Sequence, residues 1–162
     1  MTSYLVRQAH PDDIPALVEF QIALAWESES LVLDRNTVHR GVSAVFEDSS
    51  KGQYLVAHAA DPSRLIGSLL LTYEWSDWRN GCVIWIQSVY VVPEWRRRGV
   101  FRTLYRYVQE QVASRPPYVG IRLYVDTRNT VAQKVYRQLG MRGDHYQVWE
   151  WFPDGKSSES HG

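Results

Sequence analysis

Three arginines followed by a glycine, Arg96-Arg97-Arg98-Gly99, are the residues whose types and order point most directly to chemistry. They follow Pro93 and precede a run in which Val100, Leu104, Val108 and Val112 recur at helical spacing. A basic, glycine-bearing turn that opens a helix makes an anion site. The first amides of a helix have no partner within it, and the helix dipole favours negative charge there. Guanidinium groups add charge-assisted bonds to phosphate oxygens. Glycine lets the backbone approach a ligand with no Cβ in the way. The same pattern also fits a solvated basic turn before an ordinary amphipathic helix, so this stretch alone does not choose between the two.

A second stretch, Asn129-Thr130-Val131-Ala132-Gln133-Lys134-Val135-Tyr136, ends in Leu139-Gly140-Met141. Asn129 suits a helix N-cap, and Tyr136, four residues on from Ala132, suits a packed helix residue. Gly140 fits the left-handed position that closes a helix.

The bulk properties narrow the class. A chain of 162 residues, 44% hydrophobic and 22% charged, can fold as one globular, soluble domain with a sizeable core. Residues 1–152 are expected to form that domain and 153–162 a polar tail. The formal net charge of zero argues against a general nucleic-acid binder, and the arginine run has no wider basic stripe around it. Cys82 is the single cysteine, which excludes an intrachain disulfide and a cysteine-based zinc site; no metal is expected. No run approaches the ~20 apolar residues of a membrane span, and residues 1–7 hold no apolar core of a signal peptide. A cytoplasmic protein with no membrane partner is the expectation.

The elements that must position these residues follow from periodicity and punctuation. Residues 4–9 read as a strand, and His10-Pro11-Asp12-Asp13 as a helix start. A helix is expected to about Trp26, then a polar loop over 27–30. Asp34 should cap a second helix reaching about Phe46. Strands are expected over 53–60, 65–73, 83–92, 118–126 and 145–151, with Gly67 marking a bulge or a close backbone approach. Asn80-Gly81 is a strong turn pair, and Arg115-Pro116-Pro117 ends the third helix. Four tryptophans between 75 and 95 suggest an aromatic wall near the central strands, with core filling as the alternative for each one. The resulting order, β-α-α-β-β-β-α-β-α-β, implies an α/β fold with a mixed, mostly antiparallel central sheet flanked by helices.

With both motifs in this order, the chain resembles the GNAT (Gcn5-related N-acetyltransferase) superfamily over about residues 4–151. Arg96-Arg97-Arg98-Gly99-Val100-Phe101 resembles the family's Arg/Gln-x-x-Gly-x-Gly/Ala turn. The stretch from Asn129 to Met141 resembles its Asn-x-x-Ala-x-x-x-Tyr-x-x-x-Gly-Phe helix. The resemblance implies acetyl-CoA as co-substrate and transfer of its acetyl group to an amine. Arg97, Arg98, Gly99, Val100, Phe101 and Arg102 would cradle the pyrophosphate, largely through backbone amides. Val89, Tyr90 and Val91 would meet the pantetheine arm, admitted by a splay between this strand and the next. Asn129 would hold the cofactor, and Tyr136 would protonate the leaving thiolate as general acid. Two departures stand out: Phe101 occupies a small-residue position, and Tyr124 stands where some relatives carry a glutamate base. Gln87 is not ionisable either, so no base carries over.

On the acceptor side, Glu27, Glu29, Asp34, Glu74 and Asp77 lie near Trp26, Trp75 and Trp78 in sequence. Acids beside tryptophans suit an ammonium group, through ion pairing and cation–π attraction. A small cationic amine is therefore the expected acceptor, with Trp75 and Trp78 against it and Glu27, Glu29 or Asp77 as base or amine contact. A solvated acidic loop with tryptophans covering the core is the alternative. Lysine side chains and peptide N-termini remain open as acceptors. So does a regulatory domain that binds CoA or acetyl-CoA without turnover. Trp149 and Trp151 suit either a homodimer contact or internal packing.

Overall fold

A computed structural model describes residues 4–153 and contains β1 (Leu5–Gln8), α1 (Ile14–Glu29), α2 (Arg35–Glu47), β2 (Gln53–His58), β3 (Leu65–Ser76), β4 (Gly81–Val91), α3 (Val100–Ser114), β5 (Tyr118–Arg122) and α4 (Thr130–Gln138). It divides into two compact units, Met1–Arg122 and Leu123–Gly162.

The first unit is built on a five-stranded sheet in the order β1-β2-β3-β4-β5. Every pair is antiparallel except β4 with β5, which run parallel. A parallel neighbour needs a crossover, and α3 supplies it. One sheet face, carrying Tyr54, Val56, Leu70 and Tyr90, packs on α1 and α2 through Leu17, Val18, Phe20 and Val42. The Phe20 and Tyr90 rings lie 5.1 Å apart across this layer. The opposite face lies under α3, whose Val100, Leu104 and Val108 are almost fully buried. Gly67 makes that approach close: a Cβ there would stand 3.0 Å from the Tyr90 carbonyl oxygen and 3.2 Å from Val100 Cγ1. A register slip in β2 at Ala57/His58 sits directly opposite. Gly67 thus marks the close backbone approach, beside a register shift in the β2–β3 pairing.

The helix starts form as their residues dictate. Asp13 Oδ2 accepts from the His10 amide at 2.7 Å, and Asp34 Oδ2 accepts from the Thr37 amide at 2.8 Å. Two boundaries near the candidate site differ from expectation. Residues 27–29 are not a loop but the last turn of α1, which stops at Ser30 in the left-handed region (φ 53°). Their polarity reports an exposed helix face rather than a break. β5 ends at Arg122 rather than near 126, because the chain turns: Asp126 accepts the Arg128 amide at 2.8 Å and its carbonyl accepts the Asn129 amide at 2.9 Å.

The expected strand over 145–151 does not form. A strand persists through a ladder partner, and among the described residues this segment has none. In this second unit Tyr146, Val148, Trp149 and Trp151 are largely exposed. The α-helix among the described residues of the second unit, α4, is regular and capped by Asn129. Residues 154–162, most of the expected tail, lie outside the described residues.

Candidate functional site

The basic turn joins β4 to α3. Pro93–Trp95 form a single tight turn, and the chain then enters the left-handed region at Arg97 (φ 61°) and again at Gly99 (φ 81°). Gly99 is the N-cap of α3. The first main-chain bond of the helix runs from the Thr103 amide to the Gly99 carbonyl at 3.1 Å, so the amides of Gly99 and Val100 lie ahead of the helical ladder. Left-handed residues ahead of a helix start can turn successive amides to one side, a backbone shape that suits an anion.

Side chains hold that shape. Tyr4 Oη bonds the Arg98 carbonyl at 3.1 Å and lies 3.1 Å from Thr103 Oγ1, which donates to the Gly99 carbonyl at 3.1 Å. The Arg98 guanidinium lies 5.4 Å from the centre of the buried Trp95 ring. Arg98 thus has its side chain laid over Trp95 and its carbonyl bonded to Tyr4. A Cβ on Gly99 would come within 3.3 Å of Tyr4 Oη. The Phe101 ring packs toward Tyr105, 6.1 Å between centres, so its bulk runs along α3. That accommodates the large residue at this position.

β4 changes character along its length. The β4–β5 ladder pairs Cys82 with Tyr118, Val83 with Gly120, Ile84 with Ile121 and Trp85 with Arg122, and ends there. From Ile86 to Val91, among the described residues, the strand pairs with β3 alone. On that side Ser68 faces Tyr90 while Leu70 faces Gln87, so Ser88 and Val89 form a bulge against Leu69. Ser88 is left-handed (φ 53°), which only the bulge explains. The β4–β5 ladder thus ends before the bulge, and among the described residues no strand pairs with this side of Val89–Val91.

Arg96 closes the far end of that edge. Its Nε donates to the Val91 carbonyl at 2.9 Å, and its Nη2 bonds Glu27 Oε2 at 2.7 Å. Its guanidinium lies 5.6 Å from the Tyr90 ring centre. Val92 bonds Ile66 on the β3 side, so Val91 turns its groups to the open side. The Val91 carbonyl is thus already engaged, and its amide is the group left facing the edge. Tyr90 points its ring into the core beneath α1.

Within the second unit, Asn129 is the N-cap of α4, its Oδ1 accepting from the Ala132 amide at 3.0 Å. The cap uses the oxygen, and the amide nitrogen of the same side chain remains a separate donor. Burial pushes the Tyr136 phenol above its ordinary pKa. The Tyr136 carbonyl accepts from the Met141 amide at 3.0 Å, while Gly140, at φ 86°, donates to Arg137 at 3.0 Å. This double bond pattern ends the helix as Gly140 implied.

The residues considered for the acceptor are not gathered in one place. Glu27 sits at the Arg96 end of β4. Asp77 lies in the β3–β4 turn, its Oδ1 accepting from the Trp78 amide at 2.9 Å. Gly81–Val91 separates the two ends, about 33 Å of strand at ~3.3 Å per residue. Trp75 is 60% exposed and Trp78 90% exposed at the hairpin tip, while Trp95 is buried under the turn. The four tryptophans between 75 and 95 thus do not form one wall: a hairpin spreads neighbours in sequence along its length. Glu29 is exposed on the last turn of α1.

Sequence reasoning missed Tyr4, read only as the start of a strand, and the bulge at Ser88. The signal for the bulge was the adjacent polar pair Gln87-Ser88 inside an apolar run, which breaks the period of two. Nothing in the sequence marked Tyr4.

A family model described as Acetyltransferase (GNAT) family matches residues 20–141. Among solved structures, a possible acetyltransferase from Clostridium difficile 630 is 38% identical, with a TM-score of 0.85 over 92% of this chain and 97% of that one. An aminoglycoside N-acetyltransferase in complex with CoA is 18% identical, with a TM-score of 0.76 over 95% and 97% of the two chains. Glucosamine-6-phosphate N-acetyltransferase from Arabidopsis thaliana is 15% identical, with a TM-score of 0.70 over 93% and 99%. These last two share the fold. No curated protein matches.

Proposed function

The chain belongs to the acetyltransferase (GNAT) family, and we propose that it transfers an acetyl group from acetyl-CoA to a primary amine, a small cationic one. The observation that supports this most is the doubly left-handed turn at Arg97 and Gly99, set where β4 has parted from β5. A diphosphate fits the amides of Arg98, Gly99 and Val100, with Arg97 and Arg102 adding positive charge. The open edge of β4 suits an extended arm bearing amides, which bonds to Val89 and to the Val91 amide as an added strand would.

Acetyl-CoA, when bound, supplies an acyl group on a thiol leaving group. The chain's residues then have three tasks. The β4 edge orients the acyl carbon, which is the larger contribution because positioning removes most of the entropic barrier. Tyr136 holds a proton at Oη for the departing sulfur, and burial, which raises its pKa, favours that protonated form. The acceptor must lose a proton. Glu27 is committed to Arg96, which leaves Glu29 or solvent for that role. Asn129 donates from its amide nitrogen to the cofactor.

Free thiol release from acetyl-CoA with a panel of primary amines tests the reading. Turnover should appear with small amines, and Tyr136→Phe should lower kcat about tenfold with KM for acetyl-CoA little changed. Tight acetyl-CoA binding with no thiol released on any amine would instead make the protein a binding domain without turnover.

A further inference from the structure

The last rung of the β4–β5 ladder carries a polar cluster that the sheet does not need. Cross-strand partners share a face, and strand residues alternate between faces. Thr72 pairs with Trp85, and Trp85 with Arg122, so these three lie on one face. Glu74 and Gln87 share it, two residues on from Thr72 and Trp85. It is the face that, further along, presents Tyr54, Val56, Leu70 and Tyr90 to α1 and α2. There it is apolar apart from the buried Ser68. Here each of the three strands contributes a polar side chain beside Trp85.

The groups are tied to each other. Gln87 Nε2 donates to Thr72 Oγ1 at 2.6 Å. Arg122 on β5 forms an ion pair with Glu74 on β3, reaching across β4 to do so. The two side chains are 31% and 39% exposed, so the pair is open to a ligand. An ion pair this exposed contributes at most about 1 kcal/mol to folding, less after solvent screening. An apolar pair at these positions would hold three strands together at least as well. Stability therefore gives no reason for this pair.

Its place gives one. Arg122 is the last β5 residue paired to β4, and the open edge begins at the next β4 residue. A ligand on this face lies beside the inner end of the edge that the proposed acyl arm would follow. We propose that this cluster is the acceptor subsite, and that the acceptor is a small amine that also carries a carboxylate. The inference rests on the acetyl transfer to an ammonium-bearing amine proposed above and narrows that acceptor to one that also carries a carboxylate. Opposite charges fixed a short distance apart complement a ligand with opposite charges fixed likewise. The Glu74 carboxylate takes the ammonium end. The Arg122 guanidinium takes the carboxylate, for which its planar fork is shaped. Gln87 and Thr72 offer neutral donors and acceptors between them. Trp85 shares this face and brings an aromatic side chain to it. A purely cationic amine gains less here, because Arg122 repels it.

The test compares matched acceptors that differ only in the carboxylate: β-alanine against ethylamine, and glycine against methylamine, each followed by thiol release from acetyl-CoA. The wild-type protein should prefer the amino acid by at least tenfold in kcat/KM, expressed in KM for the amine. Arg122→Gln should bring that ratio near one, and Arg122→Lys should restore part of it. Glu74→Gln should raise KM for the amino acid while KM for acetyl-CoA stays put. Circular dichroism on each variant identifies any that fail to fold. Should Arg122→Gln be among them, the Glu74→Gln result and the wild-type ratio decide the matter. Equal or better turnover of the bare amines would overturn the subsite and leave the acetyltransferase standing. No turnover of any amine, with acetyl-CoA bound, would overturn both.

Discussion

The two ends of β4 are built for different tasks, although one strand joins them. At the Gly81 end the strand is paired on both sides and follows a tight hairpin. A Cβ on Gly81 would stand 2.3 Å from Val119 Cγ1 and 2.7 Å from the Pro117 carbonyl oxygen. The backbone there is packed as closely as a sheet allows. At the Val91 end the strand is bulged, paired on one side only, and followed by two left-handed residues. Its polar groups face outward instead of into a ladder. Packing dominates one end and directed hydrogen bonding the other. Substitutions at the two ends should therefore fail in different assays.

Gly81→Ala should have the largest effect, and on stability. Forcing atoms into a filled space costs about 1–3 kcal/mol, which thermal or urea unfolding would read. KM for acetyl-CoA should change less than twofold. A Gly81→Ala protein of unchanged stability but poor acetyl-CoA affinity would reverse the comparison.

Gly99→Ala is the counterpart at the other end. It puts a Cβ into a left-handed position near Tyr4 Oη. KM for acetyl-CoA should rise about tenfold, equal to about 1.4 kcal/mol, with a smaller loss of stability. Initial rates at varied acetyl-CoA give the answer directly.

The Arg96–Glu27 pair comes next. It ties α1 to the Val91 carbonyl, with its side chains 46% and 38% exposed. Arg96→Ala and Glu27→Gln should each raise KM for acetyl-CoA a few-fold. Their double-mutant cycle should show a coupling below about 1 kcal/mol. Additive effects would mean that the pair does not act as a unit.

A titration separates core from edge. Burial pushes the Tyr54 phenol up to about 12, against an ordinary value of ~10. A group whose folded pKa is raised contributes stability that is complete below its unfolded pKa and is lost as pH rises through the folded one. Unfolding free energy should thus fall between about pH 10 and 12, and Tyr54→Phe should flatten that fall. The smallest effect belongs to Trp78→Ala. Its side chain is 90% exposed at the hairpin tip, and both stability and kcat/KM should stay within error. A marked loss of activity would bring the tip back into the acceptor site.

The same contrast explains what could be read from sequence. Helices α2, α3 and α4 were legible because apolar spacing and caps at Asp34, Gly99 and Asn129 agree with each other. The antiparallel strands were legible from apolar runs between turn residues. The segment over 145–151 was not, since alternation marks a preference for a pleated surface and only a ladder partner makes the strand. At the candidate site the motif residues Arg96 to Phe101 announced the turn. What holds it did not show: Tyr4 reaches it across 94 positions of sequence, and Arg96 reaches Glu27 across 69. Such long-range bonds leave no local pattern. Glu27, Glu29 and Asp77 looked equivalent as acids near tryptophans, and only the length of the hairpin told them apart.

The account turns on where the chain grips acetyl-CoA. Backbone amide chemical shifts, followed by two-dimensional NMR as acetyl-CoA is titrated in, measure this residue by residue. The largest changes should fall on Arg98, Gly99, Val100 and Val91, with Trp78 and Gly81 unmoved. Shifts concentrated at the hairpin tip, with the Gly99 and Val100 amides unchanged at saturation, would contradict it.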